Sequence, residues 1–254
     1  MHHGGHGARR KFLLATLAAL LLVALSGLAS PGTNHAASKN DKSKIPLVRW
    51  DEERPGCTFS RTEDGRYHYG LWSDGVGVIL TVDSQEVEKV HRRHEPFFAA
   101  LLTVRYRGTA TLDLATDAIS LEFVKHFQVI QPALDPDAFA AKVQSDSDEL
   151  DHTTAREVEK HPEKKDAKEA YERAFQKDSA EILEFVGRNS LRSARLEPGN
   201  SEASGWVLFS TTSKWISRWK KQEEFVLRLP LEGKMLEFPF ALPPKPGEVM
   251  LRHR

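Results

Sequence analysis

Apolar and polar residues alternate in several short segments of this chain, a pattern typical of β-strands that bury one face. Residues 67–72 and 76–82 both follow this period of two. Ser73, Asp74 and Gly75 lie between them, and Asp-Gly is a strong signal for a tight hairpin turn. The sequence therefore predicts two antiparallel strands joined at this turn.

Further segments show the same alternation on either side of a charged central region. Proline cannot donate a hydrogen bond to a sheet, so we expect Pro230 and Pro239, on alternate positions, to face an edge or solvent. Some eight or nine short strands predict a mainly β fold, and more specifically an antiparallel β-sandwich. The additional strand segments are residues 97–107, 119–123, 225–231 and 236–240.

Residues 136–190 have a different composition, dominated by charged residues, and predict an inserted helical hairpin. Asp135 precedes Pro136 at a favourable helix start, Pro162 should divide the region into two helices, and Gly187 is a reasonable end for the second. Two interpretations stay open: a solvated hairpin that packs on the β-domain, and an arm that binds a partner. The apolar stripe of the second helix comprises Ala167, Tyr171, Ala174, Phe175, Ile182, Phe185 and Val186.

A polar loop that contains Pro and Gly precedes a short apolar strand in the block LEPG (196–199) and GWVLF (205–209). Residues 198–205 should lie at the surface. Residues 206–209 should be covered on both faces, because this segment contains no polar side chain. This block resembles the L-x-P-G…G-x-x-x-F pattern of telokin-like, immunoglobulin-like domains of bacterial exported proteins. Residues 102–107 resemble the family's earlier strand, with Gly108 where asparagine is usual. The resemblance implies an immunoglobulin-like β-sandwich and carries over no catalytic residue.

The first 29 residues combine a basic start, an apolar stretch and a small-residue site, the three parts of a secretory signal. We expect cleavage after Ala29; the pair Arg9-Arg10 resembles the twin-arginine export motif, and both export routes stay open. The alternative is an uncleaved membrane anchor at residues 12–29. The sequence then predicts a flexible linker at 30–56, a β-domain at 57–242 interrupted by the helical insertion, and a C-terminal tail at 243–254.

The charge balance gives no support for nucleic-acid binding, and the cysteine content excludes an internal disulfide. Lys and Arg total 36 and Asp and Glu total 36, so the formal net charge is zero and does not favour general nucleic-acid binding. Cys57 is the single cysteine, so an internal disulfide is excluded. Stability must therefore come from packing.

Few residues form a pattern with recognisable chemistry, and the sequence predicts no catalytic residue and no cofactor. His91 and His94 are weak candidates for a metal site, because histidines three apart can share one side of a helix. Cys57 with His68, and Ser217 with Lys220, lack the companion residues of a nucleophilic site. Weak candidates for partner binding are Trp215, Trp219, Lys220 and Lys221, where aromatic rings lie beside basic groups.

These patterns predict an exported cell-envelope protein, periplasmic or extracellular, that acts as a non-catalytic binding or scaffold module. The expected partner is a protein or another envelope component, with membrane contact only if residues 12–29 are retained. One alternative is a metal-binding or enzymatic envelope protein that uses His91 and His94. The other is a structural protein held in the inner membrane by a single span.

Overall fold

The structure, a computed structural model, describes residues 45–83, 97–125, 129–211 and 222–242. The predicted signal or anchor, most of the predicted linker and the predicted tail lie outside these ranges.

Two five-stranded sheets, a two-stranded sheet and a long helical hairpin make up the described part of the chain. The strands are β1 (Leu47–Arg49), β2 (Cys57–Arg61), β3 (Arg66–Ser73), β4 (Val76–Asp83), β5 (Phe97–Tyr106), β6 (Leu112–Leu114), β7 (Ser120–Phe123), β8 (Val129–Pro132), β9 (Ala194–Leu196), β10 (Glu202–Ser210), β11 (Glu223–Leu231) and β12 (Lys234–Leu242). The helices are α1 (Pro136–Lys160) and α2 (Lys165–Asn189). The predicted mainly β fold with an inserted helical hairpin is confirmed.

The first sheet has the order β1-β12-β11-β7-β8, and the second has the order β10-β5-β4-β3-β2. Strands β6 and β9 form the small third sheet. Neighbouring strands are antiparallel except for β1, which runs parallel to β12. The expectation of purely antiparallel sheets is therefore wrong at this one pair.

Five short strands fall where the sequence predicted none, and they are β1, β2, β6, β8 and β9. Strand β1 lies inside the predicted linker 30–56, because Val48 is buried against the core and pairs with Leu236. Strands β6, β8 and β9 have only three or four residues, too few for a period of two to stand out. Strand β10 begins at Glu202, so the predicted surface loop 198–205 ends earlier than expected.

The predicted hairpin turn between β3 and β4 is confirmed by its backbone, and a second turn with the same geometry joins β11 to β12. Asp74 and Gly75 have φ values of 48° and 79°, and Glu232 and Gly233 have values of 49° and 70°. Positive φ at both central residues is the geometry whose twist matches the flanking strands. These two turns set the register of β3 with β4 and of β11 with β12.

Each of the two prolines lies on a stretch of its strand that pairs with only one neighbouring strand among the described residues. Strand β11 pairs with β7 only as far as Arg228, and Pro230 lies beyond that point. Strand β12 pairs with β1 only as far as Glu237, and Pro239 lies beyond that point. The missing proline N–H therefore leaves no gap in the ladders, and the edge prediction is confirmed.

The inner faces of both large sheets contribute to one hydrophobic core. Its centre contains stacked rings: Phe225 lies 5.6 Å from Phe98 of the opposite sheet and 5.1 Å from Phe240. Phe209 is fully buried in the same core. Burial of such rings supplies the stabilisation that a disulfide cannot give this chain.

The helical hairpin starts and turns where the sequence predicted, but it ends differently. The Asp135 carboxylate accepts a hydrogen bond from the Ala138 N–H at 2.7 Å, and Pro162 opens a 3₁₀ turn between the helices. Gly187 lies inside α2, whose cap is Ser190 with extended backbone. The prediction that Gly187 ends the helix is wrong, because the backbone turns extended three residues later.

The base of the hairpin packs on the outer face of the second sheet. Phe139, Val143, Ile182 and Val186 form a cluster with Leu208 and its neighbours on β5 and β10. Further out, Ala167 and Tyr171 of the predicted stripe are exposed. The stripe therefore holds the hairpin to the sheet only at its base.

Strand β10 ends the second sheet, and the two ends of the hairpin cover its edge. The Leu134 N–H donates to the Leu208 carbonyl at 2.8 Å, and the Leu191 N–H donates to the Trp206 carbonyl at 2.9 Å. Covering an edge in this way satisfies its backbone groups and prevents pairing with other chains. Val207 and Phe209 face the core and Leu208 lies under the hairpin, so both faces of this segment are covered, as predicted, although Trp206 stays partly exposed.

Candidate functional site

A cleft of about 540 Å³ opens between the two large sheets. Its walls come from Phe59 of β2 and Tyr67 of β3 on one side, and from Pro239 and Phe240 of β12 on the other. Strand β1 ends at Arg49, so β12 has no described neighbour beyond Glu237 on this side. The cleft lies at this gap, where the two sheets are not joined.

Trp50, directly after β1, forms one wall of the cleft and contacts both large sheets. Its ring lies 5.0 Å from Tyr69, edge to face, and 6.2 Å from Phe59. Its indole Nε1–H donates to the Thr58 carbonyl at 3.1 Å. Trp50 and Phe59 stay partly exposed whereas Tyr67 and Tyr69 are buried, so two aromatic surfaces are offered to a ligand on a fixed support.

Charged groups surround this aromatic wall. Arg49 binds Glu237 at 2.8 Å, and Glu224 lies 3.2 Å from Lys125. Glu52 is exposed at the rim. An apolar floor with a few polar groups around it is the usual composition of a binding pocket.

Pro239 affects whether the backbone of a ligand can pair with β12 beside this cleft. It lies on the stretch of β12 beyond β1, where an added strand would need a backbone N–H donor. Proline lacks that donor, so strand addition is disfavoured at this edge. The cleft is therefore suited to receiving a side chain, and less suited to extending the sheet.

A second polar feature lies on the outer face of the first sheet and is structural. Arg228 of β11 donates to Glu237 at 2.9 Å and also to Glu122 of β7. Burial lowers the pKa of Arg228, but the hydrogen bonds with Glu237 and Glu122 outweigh it and raise the pKa overall. The guanidinium therefore stays charged and joins three strands across the sheet.

The register of β2 with β3 separates Cys57 from His68. Cys57 pairs with Leu71 and packs against the core, while His68 lies on the opposite face with its Nδ1 2.8 Å from the Thr81 hydroxyl. Burial lowers the pKa of His68. A Cys-His nucleophile is therefore not formed.

The other candidate residues lie outside the described ranges and stay predictions. They are His91, His94, Trp215, Ser217, Trp219, Lys220 and Lys221. Among the residues that the structure describes, no group of three His, Cys, Asp or Glu side chains is placed to hold a metal ion. The described helices include none that is long and apolar enough to cross a membrane.

The cleft could not be located from the sequence, because its residues are far apart in the chain. Trp50 fell in the predicted linker, and Phe59 and Pro239 are almost the whole β-domain apart. One signal was present: an aromatic residue in a polar segment that precedes the first predicted strand.

Comparison with known proteins found no match among protein-family models, curated proteins or solved structures.

Proposed function

We propose that this chain is an exported, non-catalytic binding module of the cell envelope, built on an immunoglobulin-like β-sandwich. The cleft beside Trp50 is its ligand site, and the ligand is a protein segment that inserts an apolar or aromatic side chain. The observation that carries this proposal is the pair of partly exposed aromatic side chains, Trp50 and Phe59, in contact with each other at a gap between the sheets. Aromatic side chains that become buried when two proteins associate contribute a large share of the binding free energy.

Three features support the proposal. The two large sheets share one core, as the sheets of a sandwich do. The LEPG and GWVLF block resembles immunoglobulin-like domains of exported proteins. The three-part signal at residues 1–29 favours export, and N-terminal sequencing of the protein from cell fractions tests this: a start near residue 30 is expected, and an intact N-terminus in the membrane fraction contradicts it.

A photo-crosslinking residue at position 52 tests the cleft directly. Glu52 is exposed at the rim, so the probe leaves the packing unchanged. We expect a discrete crosslinked protein from position 52, and none from position 232, an exposed turn residue away from the cleft.

The substitution Phe59→Ala, made in the position-52 probe protein, should abolish that crosslink while the protein stays folded by circular dichroism. Equal crosslinking from positions 52 and 232, or crosslinking that survives Phe59→Ala, contradicts the proposal. Metal analysis of the purified protein tests the alternative that uses His91 and His94, and stoichiometric bound metal would favour that alternative.

A further inference from the structure

Strand β2 forms an edge of the second sheet beside the cleft, and part of its backbone is directed away from the sheet. Among the described strands, β2 pairs with β3 alone. The Thr62 N–H, one residue past β2, donates to the Arg66 carbonyl at 3.0 Å. Hydrogen-bonded pairs alternate along an antiparallel ladder, so the backbone groups of Phe59 and Arg61 are directed to the open edge. This edge can therefore accept the backbone of a further strand.

The other edges of the two large sheets are less open to an added strand. The ends of the helical hairpin already bond to the β10 edge. Strand β1 has three residues, and β8 has four and ends in Pro132. Short strands and proline are common means of protecting an edge. Among the described strands, β2 is thus the edge best suited to pairing.

The chain leaves the described domain at the cleft itself. Strand β12 ends at Leu242, where it pairs with Glu223, and Ala241 lines the cleft. Pro243 and Pro244 follow, and proline has no N–H with which to continue the ladder. Residues 243–254 therefore start at the rim of the cleft and not beside another strand.

The sequence of these residues, here called the tail, includes a segment that can pair as a strand. Residues 248–254 contain neither proline nor glycine, and Val249, Met250 and Leu251 are apolar. In an extended segment Val249 and Leu251 share one face, and Met250 lies on the other. Six extended residues span roughly 20 Å, so residues 243–248 are long enough to bring this segment back over the cleft.

The tail and the rim of the cleft carry opposite charges. Residues 243–254 include three Lys or Arg residues against one Glu. Asp51, Glu52 and Glu53 are adjacent and exposed beside Trp50. Among the described residues, no basic side chain forms an ion pair with Glu52. The charges therefore attract the tail to the cleft and favour it over an acidic segment.

We infer that residues 248–252 of the tail dock on β2 as an additional strand and place Val249 and Leu251 in the cleft. A residue that pairs with Phe59 has its side chain on the same face of the sheet, which is the face that lines the cleft. The two apolar side chains then pack on the rings of Trp50 and Phe59. This inference rests on the proposed function, because it takes the cleft as a ligand site. It adds that a partner must displace a segment of the chain itself.

A photo-crosslinking residue at position 52 of the purified full chain tests this docking. Asp51 and Glu53 keep the rim acidic when position 52 carries the probe. Mass spectrometry of the digested product should identify a crosslink within one chain to residues 248–252. Position 232 should give none, because it lies at the opposite end of β12 from the tail. The yield should fall as salt increases, since salt screens the attraction between tail and rim.

Leu251→Asp should lower this yield by at least about fivefold, because docking would bury a carboxylate against aromatic rings. Met250→Asp is the matched control: it makes the same change of charge on the opposite face of the segment, and it should keep most of the yield. Neither position belongs to the described core, so the fold is not at issue in this comparison.

The absence of a crosslink to residues 248–252 would overturn the inference, as would equal losses from Leu251→Asp and Met250→Asp. A crosslink found only in covalent dimers would also overturn it, because the tail would then bind a second copy. The proposed function fails in a different way: the tail is crosslinked, but no partner protein is crosslinked from position 52 even in the Leu251→Asp variant.

Discussion

Gly205 of β10 lies directly against the backbone of Leu191, which follows the helical hairpin. A Cβ at position 205 would be 2.5 Å from the Leu191 nitrogen and 2.6 Å from its Cα. The same approach allows the Leu191 N–H to reach the Trp206 carbonyl. The glycine that opens the GWVLF segment is therefore needed for the chain to return from the hairpin onto the edge of the sheet.

Gly205→Ala should destabilise the protein by about 1–3 kcal/mol, because the added methyl group meets backbone atoms that cannot rotate away. Gly199→Ala is the matched control: nothing lies within 4 Å of a Cβ there, and we expect a change below about 1 kcal/mol. Urea unfolding of both variants measures the difference. Equal midpoints for the two would show that the chain shifts to admit the methyl group.

Phe209→Ala should cost on the order of 3–5 kcal/mol, because Phe209 is a fully buried ring in the core. Ser201→Ala, in the exposed loop before the same strand, should cost less than about 0.5 kcal/mol. Thermal and urea unfolding provide the measurement. If Phe209→Ala keeps the melting temperature and abolishes partner binding, residues 206–209 act as a recognition surface and the assignment to the core is wrong.

Long, regular segments of this fold were predictable from the sequence, whereas contacts between distant segments were not. The hairpin at Asp74-Gly75 follows from local turn chemistry and a period of two, both of which can be read within a few residues. Strand β1 has three residues, and its pairing with Leu236 depends on the whole domain closing around it. The cleft beside Trp50 depends on the same long-range pairing, so local patterns could not locate it.

Arg228→Met should cost about 3–5 kcal/mol, because it leaves the Glu122 carboxylate buried without its cation. Arg195→Met is the control: its ion pair with Asp113 is exposed, and such pairs contribute about 0–1 kcal/mol. Chemical unfolding of both variants tests this difference. A cost for Arg228→Met no larger than that of Arg195→Met would mean that water or a shift of the strand relieves Glu122.

Replacing residues 146–178 with a short Gly-Ser loop should leave a folded protein. The residues that attach the hairpin to the sheet, including Phe139, Val143, Ile182 and Val186, remain. The length of a connecting loop changes the free energy of folding only slightly. We expect a single cooperative unfolding transition in urea. A broad transition without cooperativity would show that the outer part of the hairpin is required for the core to form.

Stability should decrease as the pH falls below about 6.5, with His68 contributing to the loss. Burial lowers the pKa of His68 in the folded protein, so the unfolded chain takes up this proton more readily. The contribution of His68 to stability is fully present above the unfolded pKa and is lost progressively as the pH falls toward the folded pKa.

His68→Gln can keep the hydrogen bond with Thr81 but does not titrate, so the free energy of unfolding of this variant should depend less steeply on pH between about 7 and 5. Urea unfolding across this range compares the two proteins, and a proton-detected titration of the His68 ring locates its folded pKa. Identical slopes for both proteins, together with a ring that titrates at or above 6.5, would contradict this account of the buried histidine.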